Sequence, residues 1–243
     1  RLTAQGRQNA VSVVAFADRG TMFNPRHIFY MDKIATGPLA AHAINIELTP
    51  TENIRAVAKA LNKSVEDVTV VVLDRPRHDD LIKEIRDIHA RIRLIPDGDV
   101  SGALSTCKPG SGIDLLMGIG GSPEAVITAC AIKCVGGNMQ CKLWPRNDEE
   151  RDKCKEYDMD VNKVLHLNDL VASDNVFFAA TGVTDGDWLV GVRYDGTVVH
   201  TSSLVMRAKS GTIRYINATH NVQKLDEISG FKYGAPSSHC TFL

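Results

Sequence analysis

The sequence predicts an α/β fold, because strand-like and helix-like apolar patterns alternate through the middle of the chain. Between residues 68 and 135 the two patterns follow one another repeatedly, which is typical of parallel strands joined by right-handed crossovers. Both ends instead carry strand patterns separated by turn signals, and Asp195-Gly196 is the strongest hairpin signal. We therefore expect a parallel or mixed sheet in the C-terminal half and hairpin-rich ends.

Stretches in which apolar residues run together or alternate with polar ones are predicted to form strands. They are residues 10–17, 28–35, 68–73, 91–95, 113–117, 176–181, 189–194, 197–206 and 212–219. The first two are expected to pair antiparallel, because the link between them is short and polar. Helices are predicted from periodic apolar positions. They are residues 51–61, 81–88, 100–107, 125–135 and 148–157, and residues 234–243 are expected to be a frayed tail.

Gly118, Gly120 and Gly121 mark the centre of the strongest local pattern in the chain. The apolar run at residues 113–117 before them is typical of a strand that is covered on both faces. Glycine permits a tight turn and lets the backbone approach a ligand closely. We therefore expect a buried strand, a glycine turn and then a helix.

The residues after this turn suit the start of a helix. Ser122 is a good N-cap, Pro123 suits the first helical position, and Glu124 falls in the first turn. Gly136-Gly137 is expected to end the helix. Free N–H groups at a helix start bind anions, and a carboxylate there can hold a metal ion beside a phosphate. The alternative is an ordinary strand-to-helix turn in which Glu124 only complements the helix dipole.

A loop with paired arginines follows the strand predicted at residues 68–73. Ligands bind at the carboxyl ends of the strands in an open parallel sheet, so this loop is well placed for a site. Arg75 and Arg77 flank Pro76, which stiffens the turn, and paired guanidinium groups suit a phosphate dianion. The alternative is two solvated arginines at the start of a helix.

A loop with paired aspartates follows the next predicted strand. Asp97 and Asp99 lie on either side of Gly98. Two carboxylates in this arrangement can accept hydrogen bonds from neighbouring sugar hydroxyls or bind a hard cation. The alternative is a turn in which Asp99 caps the helix predicted at residues 100–107. Composition and spacing alone therefore indicate an α/β domain with a cleft that suits a phosphate and a polyol.

Three further polar side chains are candidates for the same site. Tyr30 offers a hydroxyl to a phosphate, although packing is the default role for a single tyrosine in a strand. Lys33 adds positive charge to this region. His78 is either a general acid or base, or a polar cap at a helix start.

Composition and charge exclude several classes of partner. Hydrophobic residues are 44% and charged residues 23% of the 243 residues, and the net charge of −1 argues against a nucleic acid or a membrane surface as partner. No apolar run approaches the roughly 20 residues that span a bilayer. The six cysteines form no Cys-x-x-Cys pair, and Cys130 and Cys134 are predicted to be buried thiols. Reduced cysteines indicate the cytoplasm, with a plastid stroma as the alternative.

Several motifs occur in the same order as in one enzyme family. They are Tyr30-Met31-Asp32-Lys33, Arg75-Pro76-Arg77-His78-Asp79, Ile95-Pro96-Asp97-Gly98-Asp99, Gly118-Ile119-Gly120-Gly121-Ser122-Pro123-Glu124, residues 173–182 and Thr212-Ile213-Arg214. With them the chain resembles the class II fructose-1,6-bisphosphatases of the GlpX type over nearly its whole length. The resemblance implies a layered sugar-phosphatase fold, similar to that of inositol monophosphatases, that lacks its N-terminal part.

The resemblance also implies an organisation and a reaction. The chain is expected to be the C-terminal major part of one domain, with residues 1–67 in the remaining N-terminal sheet layer and linking helix and residues 68–243 in an α/β layer. The implied reaction is hydrolysis of the 1-phosphate of fructose 1,6-bisphosphate with Mg²⁺ or Mn²⁺, in gluconeogenesis. Cyanobacterial members also take sedoheptulose 1,7-bisphosphate, which implies the Calvin cycle. A homodimer or homotetramer is expected, with AMP as a candidate regulator.

Individual residues receive roles from the same resemblance. Glu124 matches a metal ligand, and Gly121 matches a backbone contact with the substrate. Residues that match the family's grip on the distal phosphate are Tyr30, Arg75 and Arg77, with Pro76 between the arginines. Residues that match the segment holding the sugar hydroxyls are Asp97, Gly98 and Asp99. The family usually has lysine where this chain has Arg75.

One feature of the family has no counterpart in this sequence. An N-terminal segment of the family carries a Gly-Glu-Gly-Glu-like motif and an Asp-Pro-x-(Glu/Asp)-Gly-Thr motif, which supply most metal ligands and the threonine that orients the attacking water. Arg1-Leu2-Thr3-Ala4 resembles the residues just after the second motif. We expect this chain alone to be inactive, because one glutamate cannot hold two hard cations. The alternatives are an inositol-monophosphatase-like phosphatase and a non-catalytic module that binds a phosphosugar or a nucleotide.

Overall fold

The computed structural model describes residues 2–229, which form a mixed α/β structure with two β-sheets. The strands are β1 (Val11–Phe16), β2 (Tyr30–Thr36), β3 (Thr69–Leu73), β4 (Arg91–Ile95), β5 (Leu115–Gly121), β6 (Asn138–Leu143), β7 (Leu165–His166), β8 (Phe177–Gly182), β9 (Arg193–Asp195), β10 (Val198–Arg207) and β11 (Thr212–Asn221). The helices are α1 (Pro50–Leu61), α2 (Asp79–Asp87), α3 (Asp99–Ser105), α4 (Ser122–Val135), α5 (Asp148–Glu156), α6 (Leu167–Leu170) and α7 (Val222–Ser229). The helices predicted from the sequence are confirmed, with small shifts at their ends.

The described residues fall into two compact units. The smaller unit contains residues 2–12, 180–204 and 215–229, and the larger one contains residues 13–179 and 205–214. The division into residues 1–67 and 68–243 stays a prediction, and the tail expected at residues 234–243 lies outside the described part of the chain. Among residues 2–229, no helix has the length and apolar character needed to cross a membrane.

A six-stranded sheet in the larger unit has the strand order β4-β3-β5-β2-β6-β7. β3 pairs in parallel with β4 and β5, which confirms the parallel arrangement predicted for this part of the chain. β2 lies between β5 and β6 and runs antiparallel to both, so the sheet is mixed. The prediction that the first two strands pair is wrong, because β1 and β2 belong to different sheets. A short polar link does not determine which strand becomes the hydrogen-bonded neighbour.

Helices cover both faces of this sheet. Successive side chains of a strand point to opposite faces, so neighbouring residues of β3 contact different helices. Val70 and Val72 lie in one apolar cluster with residues of α1 and α2. Val71, between them, lies in a second cluster with residues of α3 and α4. The result is a layered arrangement in which the loops after β3 and β4 share one edge of the sheet with the junction of β5 and α4.

The other sheet has the strand order β1-β8-β10-β11, with β9 paired to β10. β9 and β10 pair antiparallel across the turn at Asp195-Gly196, where Gly196 has a φ of 58°. This left-handed backbone is the conformation that glycine adopts readily, so the predicted hairpin is confirmed. Its first strand starts only at Arg193, later than the start at residue 189 that the pattern predicts.

β6 is an interior strand that the sequence patterns do not predict. Met139 and Cys141 are buried as in any core strand, but Gln140 between them is also buried. The Gln140 amide oxygen accepts a hydrogen bond from the Ile46 N–H, and its nitrogen donates to the Ile44 carbonyl. A buried polar residue interrupts the apolar run, so the pattern contains no clear strand signal. β7 and the helices α6 and α7 are likewise missing from the predictions.

Candidate active site

The three segments singled out in the sequence lie at the carboxyl ends of the parallel strands β3, β4 and β5. The Arg75 Nη2 atom is 2.7 Å from the Asp97 Oδ1 atom, which joins the loop after β3 to the loop after β4. The Arg77 Nη2 atom donates to the Ile119 carbonyl at 2.8 Å, which joins the same loop to the end of β5. All these residues belong to the larger unit. The structure therefore brings the predicted arginine, aspartate and glycine segments together.

Arg75 is held by two acceptors from its own edge of the sheet. Besides the ion pair with Asp97, its Nη1 atom donates to the Asp74 carbonyl at 2.7 Å. Both charged side chains are about one quarter exposed, at 28% for Arg75 and 26% for Asp97. An anion that binds Arg75 would therefore compete with the Asp97 carboxylate for the guanidinium group.

Arg77 is fixed against the backbone and an aromatic ring. Its Nε and Nη2 atoms both donate to the Ile119 carbonyl, and its Cζ atom lies 4.9 Å from the centre of the Tyr30 ring. Burial lowers the pKa of the Arg77 guanidinium from its usual value, but an arginine stays charged in proteins. Tyr30 in turn meets Trp144 edge to face, with ring centres 6.2 Å apart. The structure thus confirms that Tyr30 and Arg77 are neighbours.

Lys33 and Asp99 form a buried ion pair beneath the end of β5. The Lys33 Nζ atom is 2.5 Å from the Asp99 Oδ2 atom, and the two side chains are 2% and 11% exposed. Gly120 lies against this pair, because a Cβ atom at that position would overlap Asp99 Oδ2 and lie 2.8 Å from Lys33 Nζ. The pair and the glycine together fix the direction of the Asp99 carboxylate.

The start of α3 differs from the predicted cap. Gly98 occupies the N-cap position with a φ of 89°, and Asp99 is the first residue of the helix. The side chain of Asp99 is bonded to Lys33 rather than to the free N–H groups of the helix. The alternative in which Asp99 serves as the helix cap is therefore wrong, because a buried cation is available to its carboxylate.

The glycine segment before α4 is a strand and not a turn. β5 continues through Gly121, and Ser122 is already the first residue of α4. Gly121, not Ser122, occupies the N-cap position, and the Ser122 hydroxyl is buried without a hydrogen-bond partner within residues 2–229. The predicted glycine turn and the predicted Ser122 cap are therefore wrong. The end of the helix is confirmed at Gly136, which has a φ of 74°.

Glu124 is exposed in the first turn of α4, as the sequence predicts. Its carboxylate folds back towards the strand, because a Cβ atom on Gly121 would overlap the Glu124 Oε2 atom. Within residues 2–229, no group of three histidine, cysteine, aspartate or glutamate side chains is arranged to hold a metal ion. The described residues therefore do not form a metal site by themselves, and Glu124 stays a predicted ligand.

His78 is a structural tie between β3 and β5. Its Nε2 atom accepts the Ile119 N–H at 2.7 Å, so its Nδ1 atom carries the proton and donates to the Leu73 carbonyl at 2.7 Å. Burial lowers the pKa of the imidazole, which favours this neutral form. Both ring nitrogens are occupied, so neither the acid–base role nor the polar cap is correct. Gly118 gives the ring its space, because a Cβ atom there would lie 2.9 Å from Nε2.

Arg146 lies beside Tyr30, although the sequence patterns do not indicate that it is near the candidate site. The Arg146 Cζ atom is 5.8 Å from the centre of the Tyr30 ring and 4.3 Å from that of Phe29. The available signal is the segment Trp144-Pro145-Arg146, which follows β6 directly. That segment is not recognisable as part of the site unless β6 is known to be the neighbour of β2.

This chain is similar in sequence to known proteins of one family. A family model described as bacterial fructose-1,6-bisphosphatase, glpX-encoded, matches residues 1–220. The class 2 fructose-1,6-bisphosphatase of Haemophilus influenzae is 40% identical over 240 residues, which cover 93% of this chain and 72% of that protein. The fructose-1,6-bisphosphatase 1 class 2 of Escherichia coli K12 is also 40% identical, over 93% of this chain and 71% of its own length. The chain therefore belongs to the glpX-encoded family of bacterial fructose-1,6-bisphosphatases.

Proposed function

We propose that this chain supplies the substrate-binding part of a phosphoric monoester hydrolase that removes the 1-phosphate of fructose 1,6-bisphosphate. The observation that carries the proposal is the meeting of the arginine loop, the aspartate loop and the glycine-rich end of β5 at one edge of the six-stranded sheet. Arg75 is bonded to Asp97, and Arg77 is bonded to the backbone beside Gly120. Cations and hydroxyl acceptors are thus adjacent, as a sugar phosphate requires. The matching family model and the two relatives are all named as fructose-1,6-bisphosphatases, which supports the same substrate.

Arg75, Arg77 and Tyr30 are proposed to hold the phosphate distal to the reaction. The Arg77 guanidinium is preoriented by its two bonds to Ile119 and by the Tyr30 ring, so little side-chain freedom is lost when an anion binds. Guanidinium groups match the geometry of phosphate oxygens with paired hydrogen bonds. Pro76 keeps the two arginines on one short segment.

Asp97, Gly98 and Asp99 are proposed to receive the sugar hydroxyls. The Asp99 carboxylate has one oxygen on Lys33, which leaves lone pairs of the second oxygen for a hydroxyl donor. Gly121 is proposed to offer its backbone to the substrate, because glycine lets a ligand approach the main chain closely. Sedoheptulose 1,7-bisphosphate carries the same combination of phosphates and hydroxyls, and we include it in the proposed substrate range.

Dependence on Mg²⁺ or Mn²⁺ is part of the proposal, with Glu124 as one ligand. Such an ion would activate a water molecule and neutralise charge on the transferred phosphoryl group. The described residues contribute this one carboxylate and no complete set of ligands. We therefore propose that the 243-residue chain alone binds the sugar phosphate but does not hydrolyse it.

Calorimetric titration without metal tests the proposed substrate. Fructose 1,6-bisphosphate and fructose 6-phosphate are expected to bind, while fructose and inositol 1-phosphate bind far more weakly. Arg77→Met is expected to weaken binding of both fructose phosphates. Arg86→Met is the matched control, because Arg86 is exposed at the far end of α2. Equal affinity for inositol 1-phosphate, or no binding of either fructose phosphate, would refute the proposed substrate.

Phosphate release tests the proposed role of the metal. The chain alone, incubated with fructose 1,6-bisphosphate and Mn²⁺, is expected to release no phosphate above the background of a heat-denatured sample. Substantial turnover by a sample whose intact mass matches residues 1–243 would contradict the reasoning from the missing ligands.

A further inference from the structure

Arg146 occupies a built position next to the proposed phosphate site. It follows β6 and precedes α5, and its backbone N–H donates to the Glu150 Oε2 atom at 2.9 Å. Its Nε and Nη2 atoms are both bonded to the Glu150 Oε1 atom, at 2.7 and 2.5 Å. The Glu150 side chain is only 5% exposed, whereas that of Arg146 is 43% exposed. A buried carboxylate thus holds a guanidinium group that remains open to solvent.

The aromatic neighbours of Arg146 restrict it further. The guanidinium lies over Phe29, with 4.3 Å between the Cζ atom and the ring centre, and it also approaches Tyr30. Nε and Nη2 are occupied by Glu150, and Nη1 donates to no group within residues 2–229. The orientation of the Arg146 guanidinium group is therefore fixed, while its Nη1 atom is available to a ligand.

Tyr30 connects Arg146 to the arginine loop. The Cζ atom of Arg77 is 4.9 Å and that of Arg146 is 5.8 Å from the centre of the same ring. Arg77 comes from the loop after β3 and Arg146 from the segment after β6, so the two cations reach Tyr30 from different elements. Both guanidinium groups are therefore close to the same tyrosine, so that one anion beside Tyr30 can accept hydrogen bonds from both.

We propose that Arg146 is a further ligand of the distal phosphate and that it makes the site selective for sugars that carry this phosphate. This inference rests on the proposed function, because it takes the anion beside Tyr30 to be the distal phosphate of a sugar bisphosphate. In this arrangement Arg77 and Arg146 donate to the phosphate oxygens from two sides of Tyr30. Glu150 acts as a positioning residue that orients the Arg146 fork.

Binding of three sugar phosphates tests the proposal. Fructose 1,6-bisphosphate and fructose 6-phosphate carry the distal phosphate, whereas fructose 1-phosphate lacks it. In calorimetry without metal, Arg146→Gln is expected to weaken binding of the first two about tenfold, the effect of losing one charge-assisted hydrogen bond. Binding of fructose 1-phosphate is expected to stay the same. Arg151→Gln is the matched control, because Arg151 is an exposed arginine within α5.

Two additional variants separate binding from folding. Arg146→Gln leaves the buried Glu150 without its cation, so the double variant Arg146→Gln/Glu150→Gln is compared with Glu150→Gln alone. The proposal expects the double variant to bind fructose 6-phosphate more weakly than the single Glu150 variant. Arg146→Lys, which keeps the charge but loses the fork, is expected to show an intermediate affinity.

The outcomes distinguish this proposal from the proposed function. If the unmodified chain binds fructose 6-phosphate and every folded Arg146 variant binds it equally well, Arg146 is not a ligand, while the proposed function stands. An equal loss of affinity for fructose 1-phosphate would also overturn the assignment to the distal phosphate. If the unmodified chain binds none of the three sugars, the proposed function fails and the inference fails with it.

Discussion

Replacement of Lys33 by methionine is expected to destabilise the fold strongly. The Lys33 ammonium is 2.5 Å from the Asp99 carboxylate, and the two side chains are 2% and 11% exposed. Methionine fills a similar volume but leaves the Asp99 charge buried without its partner. Breaking a buried pair in this way lowers the free energy of unfolding by about 3–5 kcal/mol.

Urea unfolding gives this loss as a free energy and thermal unfolding gives it as a change in melting temperature, both followed by circular dichroism. In a chain of this size, each kcal/mol lowers the melting temperature by about 2–4 °C, so a fall of roughly 10 °C is expected. Lys142→Met is the matched control on β6. The Lys142 side chain is 28% exposed, and its Nζ atom is 3.5 Å from the Glu47 Oε1 atom. A surface pair of this kind contributes about 0–1 kcal/mol, so the control is expected to remain near the unmodified chain.

A second variant decides whether the buried charge is the cause. Lys33→Met/Asp99→Asn removes both charges, and it is expected to recover part of the stability lost in Lys33→Met. The reasoning is refuted if Lys33→Met stays within about 1 kcal/mol of the unmodified chain. It is also refuted if the double variant is no more stable than the single one.

Three other features lead to measurable expectations. Gly120→Ala places a methyl group against Asp99 and Lys33, so both the melting temperature and the affinity for fructose 1,6-bisphosphate should fall, and unchanged values would contradict the close contact. Burial raises the pKa of Asp32 above its usual value of 3.8, so ionisation of this carboxyl lowers stability as the pH rises. In urea unfolding, Asp32→Asn should therefore stabilise the chain more at pH 7 than at about pH 3.5, below the ordinary pKa of an aspartate, and the opposite trend would contradict the burial of this charge. Burial also raises the pKa of Cys130 to about 12 and of Cys134 to about 11. Both thiols should therefore react slowly with a disulfide reagent at pH 8 and rapidly after unfolding. Fast labelling of the native chain would argue against their burial.

The sequence predicts those parts of the fold in which local pattern and final environment agree. Residues 69–73 are apolar because both faces of β3 are covered, and the run is visible without knowledge of its neighbours. β6 is not predicted, because the polar Gln140 interrupts its apolar pattern. The burial of Gln140 depends on backbone partners at Ile44 and Ile46, far away in the sequence. Strand pairing has the same limit, since the position of β2 between β5 and β6 is a long-range property.

The candidate site shows a similar division. The order of strands and loops is sufficient to predict that Arg75, Asp97 and the residues before α4 meet at one edge of the sheet. The role of His78 is not predictable from the residues next to it in the sequence. Its Nε2 atom accepts a hydrogen bond from the N–H of Ile119, which lies far along the chain. The functional roles of the loop residues, including Glu124 as a metal ligand, stay predictions that the experiments above address.

The direct passage from β5 into α4 makes the two sides of the candidate site unequal in how they can respond to a ligand. Gly121 pairs with Tyr30 in the sheet, and the next residue already belongs to a helix whose Ala125 and Ala129 are fully buried. Neither element can shift without opening the sheet or the core. The loop after β3 is instead joined to the loop after β4 by a side-chain bond between Arg75 and Asp97, which a ligand can replace. We therefore expect the loop that carries Arg75 to adjust when a substrate arrives, and part of the binding free energy to go into releasing the Arg75–Asp97 ion pair.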